Sequence, residues 1–229
     1  MPAPLSVIIP TLNATDQLPQ TLQALMEGVE MGLIGQLILS DGGSVDQIDE
    51  LAEAAGAVLV IGPAGRGGQL HRGALRAQSP WMLFLHADTH LAPGWAAIAL
   101  QHMNTTPEMA GYFTLRFRSA QKGAALVAAG ANLRSQWFGL PYGDQGLLMS
   151  RALYDRIGGY RDLPLMEDVE IAKSLKGKLK NLTTFAETSA TRFEADGWMR
   201  RAAANLWTLC RYKFGASPDR LAARYHRPD

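Results

Sequence analysis

"WMLFLHADTHLAPG", residues 81 to 94, is the stretch that decides the fold. It starts as a strand, Trp81 to Leu85, with no polar side chain, and then turns abruptly polar at His86, Asp88, Thr89 and His90. An unbroken apolar run of this length suits a strand covered on both faces, the central position of a parallel sheet. An unpaired carboxylate at the mouth of such a strand costs at least several kcal/mol of desolvation. Asp88 therefore implies a ligand or charged partner at that end of the strand.

Working outward, three more aliphatic runs end in Pro, Asp or Gly: "LSVIIP" (5–10), "GQLILSD" (35–41) and "AVLVIG" (57–62). Helical periodicity fills the gaps. Leu18, Leu22, Leu25, Met26 and Val29 make one stripe. Ser44 and Gln47 read as a capping box before Ile48, Leu51, Ala52 and Ala55. A third helix is expected from about residue 66 to 78, and Pro93 suits the first turn of a fourth. This alternation predicts an α/β fold with a mainly parallel sheet flanked by helices. After residue 110 the pattern changes: "GYFTLRFRS" alternates like a half-exposed strand, "QGLLMS" reads as a short buried one, and "MEDVEIAKSL" as a helix with Ile171, Ala172 and Leu175 inward. A small mixed or antiparallel extension of the sheet is expected there, followed by C-terminal helices.

Parallel strands bring their C-terminal ends to one edge, where open α/β folds place ligands. Thr11 and Asn13, Asp41, Arg66, and His86 with Asp88 follow successive strands and are expected to meet there. A carboxylate can hold a divalent cation, and an Arg fork pairs with phosphate oxygens, so this edge has the parts for a nucleoside diphosphate. The glycines of "GPAGRGGQL" offer backbone that can approach an anion, or are plain loop geometry.

The 229 residues, 47% hydrophobic and 19% charged, suit one globular domain. We divide it into a nucleotide-binding half at about 1–110, an acceptor and catalytic half at about 111–195, and a helical appendage at about 196–229. With 22 basic and 21 acidic residues, the net charge of +1 gives no electrostatic case for a nucleic-acid partner. A single cysteine, Cys210, excludes an intramolecular disulfide and a cysteine zinc cluster, pointing to a reducing, cytoplasmic compartment. The opening "MPAPLSVIIP" lacks the pattern of a signal peptide, and no apolar run reaches the ~18 residues a spanning helix needs. "GAALVAAGANL" (123–133) is too short to span and belongs in the core or at an interface.

"SVIIPTLNATDQLPQTLQAL", "LILSDGGSVD", "GRGGQLHRGALRA", "MLFLHADTHLAPG", "GDQGLLMSRALYDRIGGY" and "LMEDVEIAKSL", in this order, closely resemble the family 2 glycosyltransferases of GT-A fold, from about residue 5 to 180. "HADT" with "PLMEDVE" is similar to the small single-domain branch known as radical-SAM/selenodomain-associated glycosyltransferases. The resemblance implies a GT-A-type nucleotide-diphospho-sugar transferase fold and transfer of a glycosyl group from a nucleotide sugar, with UDP-sugars favoured, to an acceptor hydroxyl with inversion. It implies that Pro10, Thr11 and Asn13 shape the nucleotide pocket, that Asp41, followed by Gly42, contacts the base, and that Arg66 and Gly67 lie beside ribose and diphosphate. Asp88 matches the last Asp of the family's D-x-D motif, which binds Mg²⁺ or Mn²⁺. His86 stands where the first Asp is expected, removing a charge beside the cation but keeping a group that can bond a ribose hydroxyl.

By the same resemblance Asp168 is the catalytic base, Glu167 supports it, and Asp144 of "YGDQG" faces the acceptor. The plain alternatives are that Glu167, Asp168 and Glu170 favour a helix N-terminus and that Asp144 forms a turn. "SATRF" is similar to a degraded Q-x-x-R-W motif, with Arg192 directed at the diphosphate. Two rival functions remain: a nucleotide-sugar-binding module without turnover, and a sugar-phosphate nucleotidyltransferase, whose G-x-G-T-R-like loop "PTLNAT" does not resemble.

The C-terminal stretch carries Arg200, Arg201, Arg211, Lys213, Arg220, Arg224 and Arg227 against Asp219 and Asp229. Trp198, Ala202, Leu206 and Leu209 share a helix face. Two readings are open: a core-packed helix with a solvated face, or a basic amphipathic helix touching the inner face of a membrane and a lipid-linked acceptor.

Overall fold

The computed structural model describes residues 3–225; Arg227 and Asp229 lie outside them. Strands β1 (Leu5–Thr11), β2 (Ile34–Asp41), β3 (Val58–Ile61) and β4 (Trp81–Phe84) alternate with helices α1 (Leu18–Glu30), α2 (Ile48–Ala54) and α3 (Arg66–Arg76). Then come β5 (His90–Leu91), α4 (Trp95–Thr105), β6 (Ala110–Phe117), α5 (Lys122–Phe138), a 3₁₀ turn at Gly143–Gln145, and β7 (Leu147–Ser150). The chain continues through α6 (Arg151–Arg156), α7 (Glu167–Ser174), β8 (Leu179–Thr188), α8 (Thr191–Asp196), α9 (Trp198–Lys213) and α10 (Pro218–Tyr225). The strands form one sheet in the order β3-β2-β1-β4-β7-β6-β8-β5.

β1 to β4 are parallel; β7 runs antiparallel to β4 and to β6, and β5 antiparallel to β8. This is the mixed α/β sheet flanked by helices that the sequence pattern predicts. Alternate side chains feed two cores. Val7, Ile9, Leu83 and Leu85 pack with Leu18, Leu25 and Trp95 on one face, and Ile8, Ile38, Met82 and Phe84 pack with Leu70, Tyr154 and Tyr160 on the other. A fully buried aliphatic side chain contributes roughly 1.5–3 kcal/mol. The sheet centre therefore offsets the cost of a polar turn directly after β4.

Pro10 fits inside β1 because pairing with β4 ends at Ile8 and Phe84, so its missing N–H faces the side where no strand follows. Thr21 of α1 donates to the Ala87 carbonyl (2.6 Å), pinning the turn after β4.

Four local expectations change. Ser44 does not cap α2, whose N-cap Gln47 makes no side-chain cap bond; the Ser44 hydroxyl bonds Asp41 instead. Met26 and Val29 are about half exposed, because α1 buries a narrower stripe through Leu18, Thr21, Leu25 and Gly28. The alternating strand at 110–117 is almost wholly buried, since β6 lies between β7 and β8 under α5 rather than at an edge. Pro93 precedes the α4 N-cap, Gly94, which adopts φ 88°.

Candidate active site at the sheet edge

The loops after β1 and β2 are stitched together by Asp41. One carboxylate oxygen accepts from the Thr11 hydroxyl (3.0 Å) and the Ser44 hydroxyl (2.5 Å), the other from the Gly43 and Ser44 amides (2.7 Å each). Burial works against ionisation, but these bonds outweigh it and hold Asp41 below the usual carboxylate value. Asn13, left-handed at φ 51°, accepts from the Val45 amide, while its own amide donates to Ser44. Asn tolerates that conformation better than most residues.

Gln69, buried on α3, was not singled out by sequence reasoning. Its amide donates to the Thr11 carbonyl (2.7 Å) and the Ser40 carbonyl (2.9 Å), and its oxygen accepts from the Gly65 amide (3.2 Å). It ties the ends of β1, β2 and the α3 loop. Its legible signal was a glutamine on the inward face of a helix that otherwise buries small and apolar residues.

The α3 glycines pack closely against other parts of the chain. A Cβ on Gly67 would sit 2.3 Å from the Arg161 carbonyl oxygen, and the Gly67 amide donates to the Leu163 carbonyl (3.2 Å). The close approach that Gly67 permits in this structure is to the chain's own 161–163 segment. That contact sets α7 beside α3: Arg66, 41% exposed, pairs with Glu167, 2% exposed, at 3.5 Å.

After β4, His86 and Asp88 occupy a tight turn in which the Thr89 amide bonds the His86 carbonyl. Arg118 donates to the Asp88 carbonyl (2.8 Å), fixing the backbone from the β6 side. The His86 ring packs on Gly143, where a Cβ would come within 2.3 Å of Nε2, and the Gly143 amide donates to Asp168 (3.3 Å). Burial first, then the positive charges of Arg66 and Arg192, hold His86 well below 6.5, so its ring is neutral at pH 7. Its Nε2 has no protein partner.

Asp144 lies in the same pocket. Burial raises it to about 6, with Arg134 opposing and Asp168 and Asp88 adding repulsion. One of its oxygens is buried without a protein partner. Glu167 is raised to about 7 by burial and by Asp168, against the pull of Arg66. The second Asp168 oxygen accepts from the Val169 amide (2.7 Å). Asp88, Asp144, Glu167, Asp168, Arg66 and His86 thus share one local field at the sheet edge, with the Asp41 loops beside it through Gln69 and Gly65. Two further residues hold the Leu140–Gln145 loop beside Asp144 and were absent from the sequence reading. Gln145 bonds Ser135 and the Phe113 carbonyl; Arg134 stacks 3.5 Å over the Tyr142 ring and donates to the Leu140 carbonyl.

A cavity of about 10 Å³ lies behind Asp168 and Gly143, room for about one water, and a groove of about 470 Å³ lies elsewhere, between α1 and β5. Among the described residues no cluster of three acid, histidine or cysteine side chains could hold a metal alone. Asp88 as a single carboxylate fits a cation whose other ligands come from substrate phosphates and water, the usual way Mg²⁺ is bound.

The model of the family described as "Glycosyl transferase family 2" matches residues 6–141, more than half of the chain. The chain belongs to that family. Its GT-A fold is shared with solved structures. TarS of S. aureus superposes with a TM-score of 0.60 at 14% identity, over 87% of this chain and 39% of that one. Glucosyl-3-phosphoglycerate synthase from Mycobacterium tuberculosis, solved with Mn²⁺, UDP-glucose and phosphoglyceric acid, gives 0.58 at 20%, over 90% and 79%. Mannosyl-3-phosphoglycerate synthase from Rubrobacter xylanophilus gives 0.58 at 18%, over 88% and 73%. The chain thus spans well under half of TarS and about three quarters of the two synthases. A search of the curated proteins returned no match. The family match includes Pro10 through Asp88 and stops before Asp144, Glu167 and Asp168.

Proposed function

We propose that this family 2 glycosyltransferase transfers a hexosyl group from a UDP-sugar to an acceptor hydroxyl with inversion and with the help of Mg²⁺ or Mn²⁺. The observation that carries the reading is the gathering of Asp88, Asp144, Glu167, Asp168 and Arg66 in one field beside the Asp41 loops. Structural relatives solved with UDP-glucose and Mn²⁺, and with UDP-GlcNAc, support the choice of donor and cation.

In this reading the loops held by Asp41, Asn13 and Gln69 shape the base pocket together with Pro10, Thr11 and Gly42. The four acceptor positions of Asp41 are already filled, so contact with a base requires the Thr11 or Ser44 hydroxyl to turn away. Arg66 reaches toward the diphosphate, and Gly67 lets the 161–163 segment close over α3. Asp88 would hold the cation, which when bound would supply positive charge to the departing nucleoside diphosphate. Neutral His86 offers Nε2 to a sugar hydroxyl.

Asp168 accepts the proton of the acceptor hydroxyl as its oxygen forms the new bond to the anomeric carbon. The bond from that carbon to the phosphate oxygen breaks on the opposite face, and its electron pair leaves with UDP. Asp144 faces the acceptor. Glu167, paired with Arg66, holds the start of α7 and so orients Asp168.

Calorimetry with UDP, with and without Mn²⁺, followed by donor hydrolysis across UDP-, GDP- and dTDP-sugars, tests this. Cation-enhanced UDP binding with slow UDP-sugar hydrolysis is expected. Binding without hydrolysis or transfer favours a non-catalytic module, and no cation effect removes Asp88 from its role.

A further inference from the structure

We propose that α5 and α9 together form a docking surface for an anionic lipid bilayer, placed so that the acceptor loop faces the membrane. α5 is a surface helix with an uncharged outer face: Leu126, Gly130, Leu133 and Trp137 follow one another at helical spacing and all are exposed. Trp137 is 74% exposed and the adjoining Phe138 70%, large apolar areas that a helix facing only water would not carry. α9 repeats the arrangement with Met199, Leu206 and Trp207, the last 66% exposed, and Phe214 follows at 92%.

The two helices lie side by side and point the same way. Trp198 at the start of α9 packs against Gly123 at the start of α5 and donates to Gln121 (2.6 Å). Toward the other end, Leu209 shares a buried cluster with Leu140, just beyond the end of α5, and with Met166, Val169 and Ala172. The helices that carry the two apolar stripes are therefore neighbours.

Charge selects the partner. Neither helix contains an acidic residue, while Lys122, Arg200, Arg211 and Lys213 lie on or flank the stripes. Tryptophan and phenylalanine between basic side chains is the composition of an element that lies in an interfacial plane, the rings among headgroups and the cations against anionic lipid. A second copy of the chain fits poorly, since a two-fold pairing of this face sets the same cations against each other with no carboxylate on either helix between them. No helix among the described residues is long and apolar enough to cross a membrane, so the contact is peripheral.

The surface is continuous with the proposed acceptor side. Phe138 is followed directly by the loop that carries Tyr142, Gly143 and Asp144, and Arg134 of α5 stacks on Tyr142. Docking would bring that loop to an acceptor hydroxyl borne by a lipid. The acceptor assignment rests on the glycosyl-transfer reading; the docking does not.

Vesicle co-sedimentation separates the two. Phosphatidylcholine vesicles containing phosphatidylglycerol should bind the protein, with binding falling as salt rises, and pure phosphatidylcholine vesicles should bind it weakly. Trp137→Ser with Trp207→Ser should lower binding by about tenfold or more, and Arg211→Gln with Lys213→Gln by about fivefold per charge. UDP binding in solution should be unchanged in both variants, which also confirms that they fold. Equal binding to both vesicles, no binding to either, or a dimer dissolved by the tryptophan replacements overturns the proposal. Vesicle binding without any UDP binding would leave the docking standing and remove the nucleotide-sugar reading.

Discussion

The loops after β1 and β2 and the turn after β4 sit at the same sheet edge but are built on opposite principles. Around Asp41 every acceptor position is filled by Thr11, Gly43 and Ser44, and Gln69 closes three backbone groups at once. Such a network is satisfied before any ligand arrives, and it sets a shape. Across the edge, His86 Nε2 and one Asp144 oxygen are buried without a protein partner, and burial lifts Asp144 to about 6 and Glu167 to about 7. Buried polar atoms left in that condition are expensive, of order 1–3 kcal/mol each. The Asp41 carboxylate has its hydrogen bonds filled within the chain, whereas the second region leaves buried groups unfilled and shifted, the condition in which groups at functional sites are commonly found.

The largest test of this contrast is Asp168→Asn. If Asp168 removes the acceptor proton, turnover should fall by about 10²–10⁴ while calorimetric affinity for UDP stays as in the wild type. Normal turnover in the variant would move the base elsewhere, with Asp144 the next group to replace. Next comes Asp88→Ala, expected to abolish the Mn²⁺ enhancement of UDP binding while leaving the weaker, cation-independent affinity supplied by the Asp41 loops. A variant that still responds to Mn²⁺ would show that the cation needs no ligand from the turn after β4.

A smaller but structural effect is expected from Gly67→Ala. The new methyl would collide with the Arg161 carbonyl, which is backbone and cannot swing aside. Overpacking of this kind costs roughly 1–3 kcal/mol, a drop of several degrees in Tm by differential scanning calorimetry for a chain of this size. An unchanged Tm would mean that the 161–163 segment is not held against α3.

The same glycine shows where the sequence is legible. The strands at the sheet centre could be read because burial on both faces leaves an unbroken aliphatic run, and so could the place of Asp88 in the turn that ends one of them. Gly67 could be marked as special, but nothing local says whether an anion or the chain itself fills the space where its Cβ would be. Gln69, Gln145 and Arg134 were illegible for a related reason. A buried amide or guanidinium is identified by its partners, and theirs lie up to 58 residues away, most of them on other elements. Ser44 shows the reverse error: its spacing to Gln47 satisfied a local rule, and a tertiary bond to Asp41 outcompeted it.

The finest test concerns Glu167 and the direction of a pH effect. Its folded pKa, about 7, lies above the ordinary 4.5, so between those values the folded chain holds a proton that the unfolded chain has released. Stability then falls as pH rises from about 4.5 to about 7, because ionising Glu167 in its buried site is less favourable than ionising it in water, even with Arg66 beside it. Glu167→Gln removes this ionisation but not that of Asp144, whose contribution cancels when the two proteins are compared. The Tm difference, wild type minus variant, should therefore decline across this window and level off above it. A difference that instead grows with pH would mean that the Arg66 pair outweighs burial and that Glu167 is ionised throughout, which would place the start of α7 among the self-satisfied parts of the edge, with the Asp41 loops rather than with His86 and Asp144.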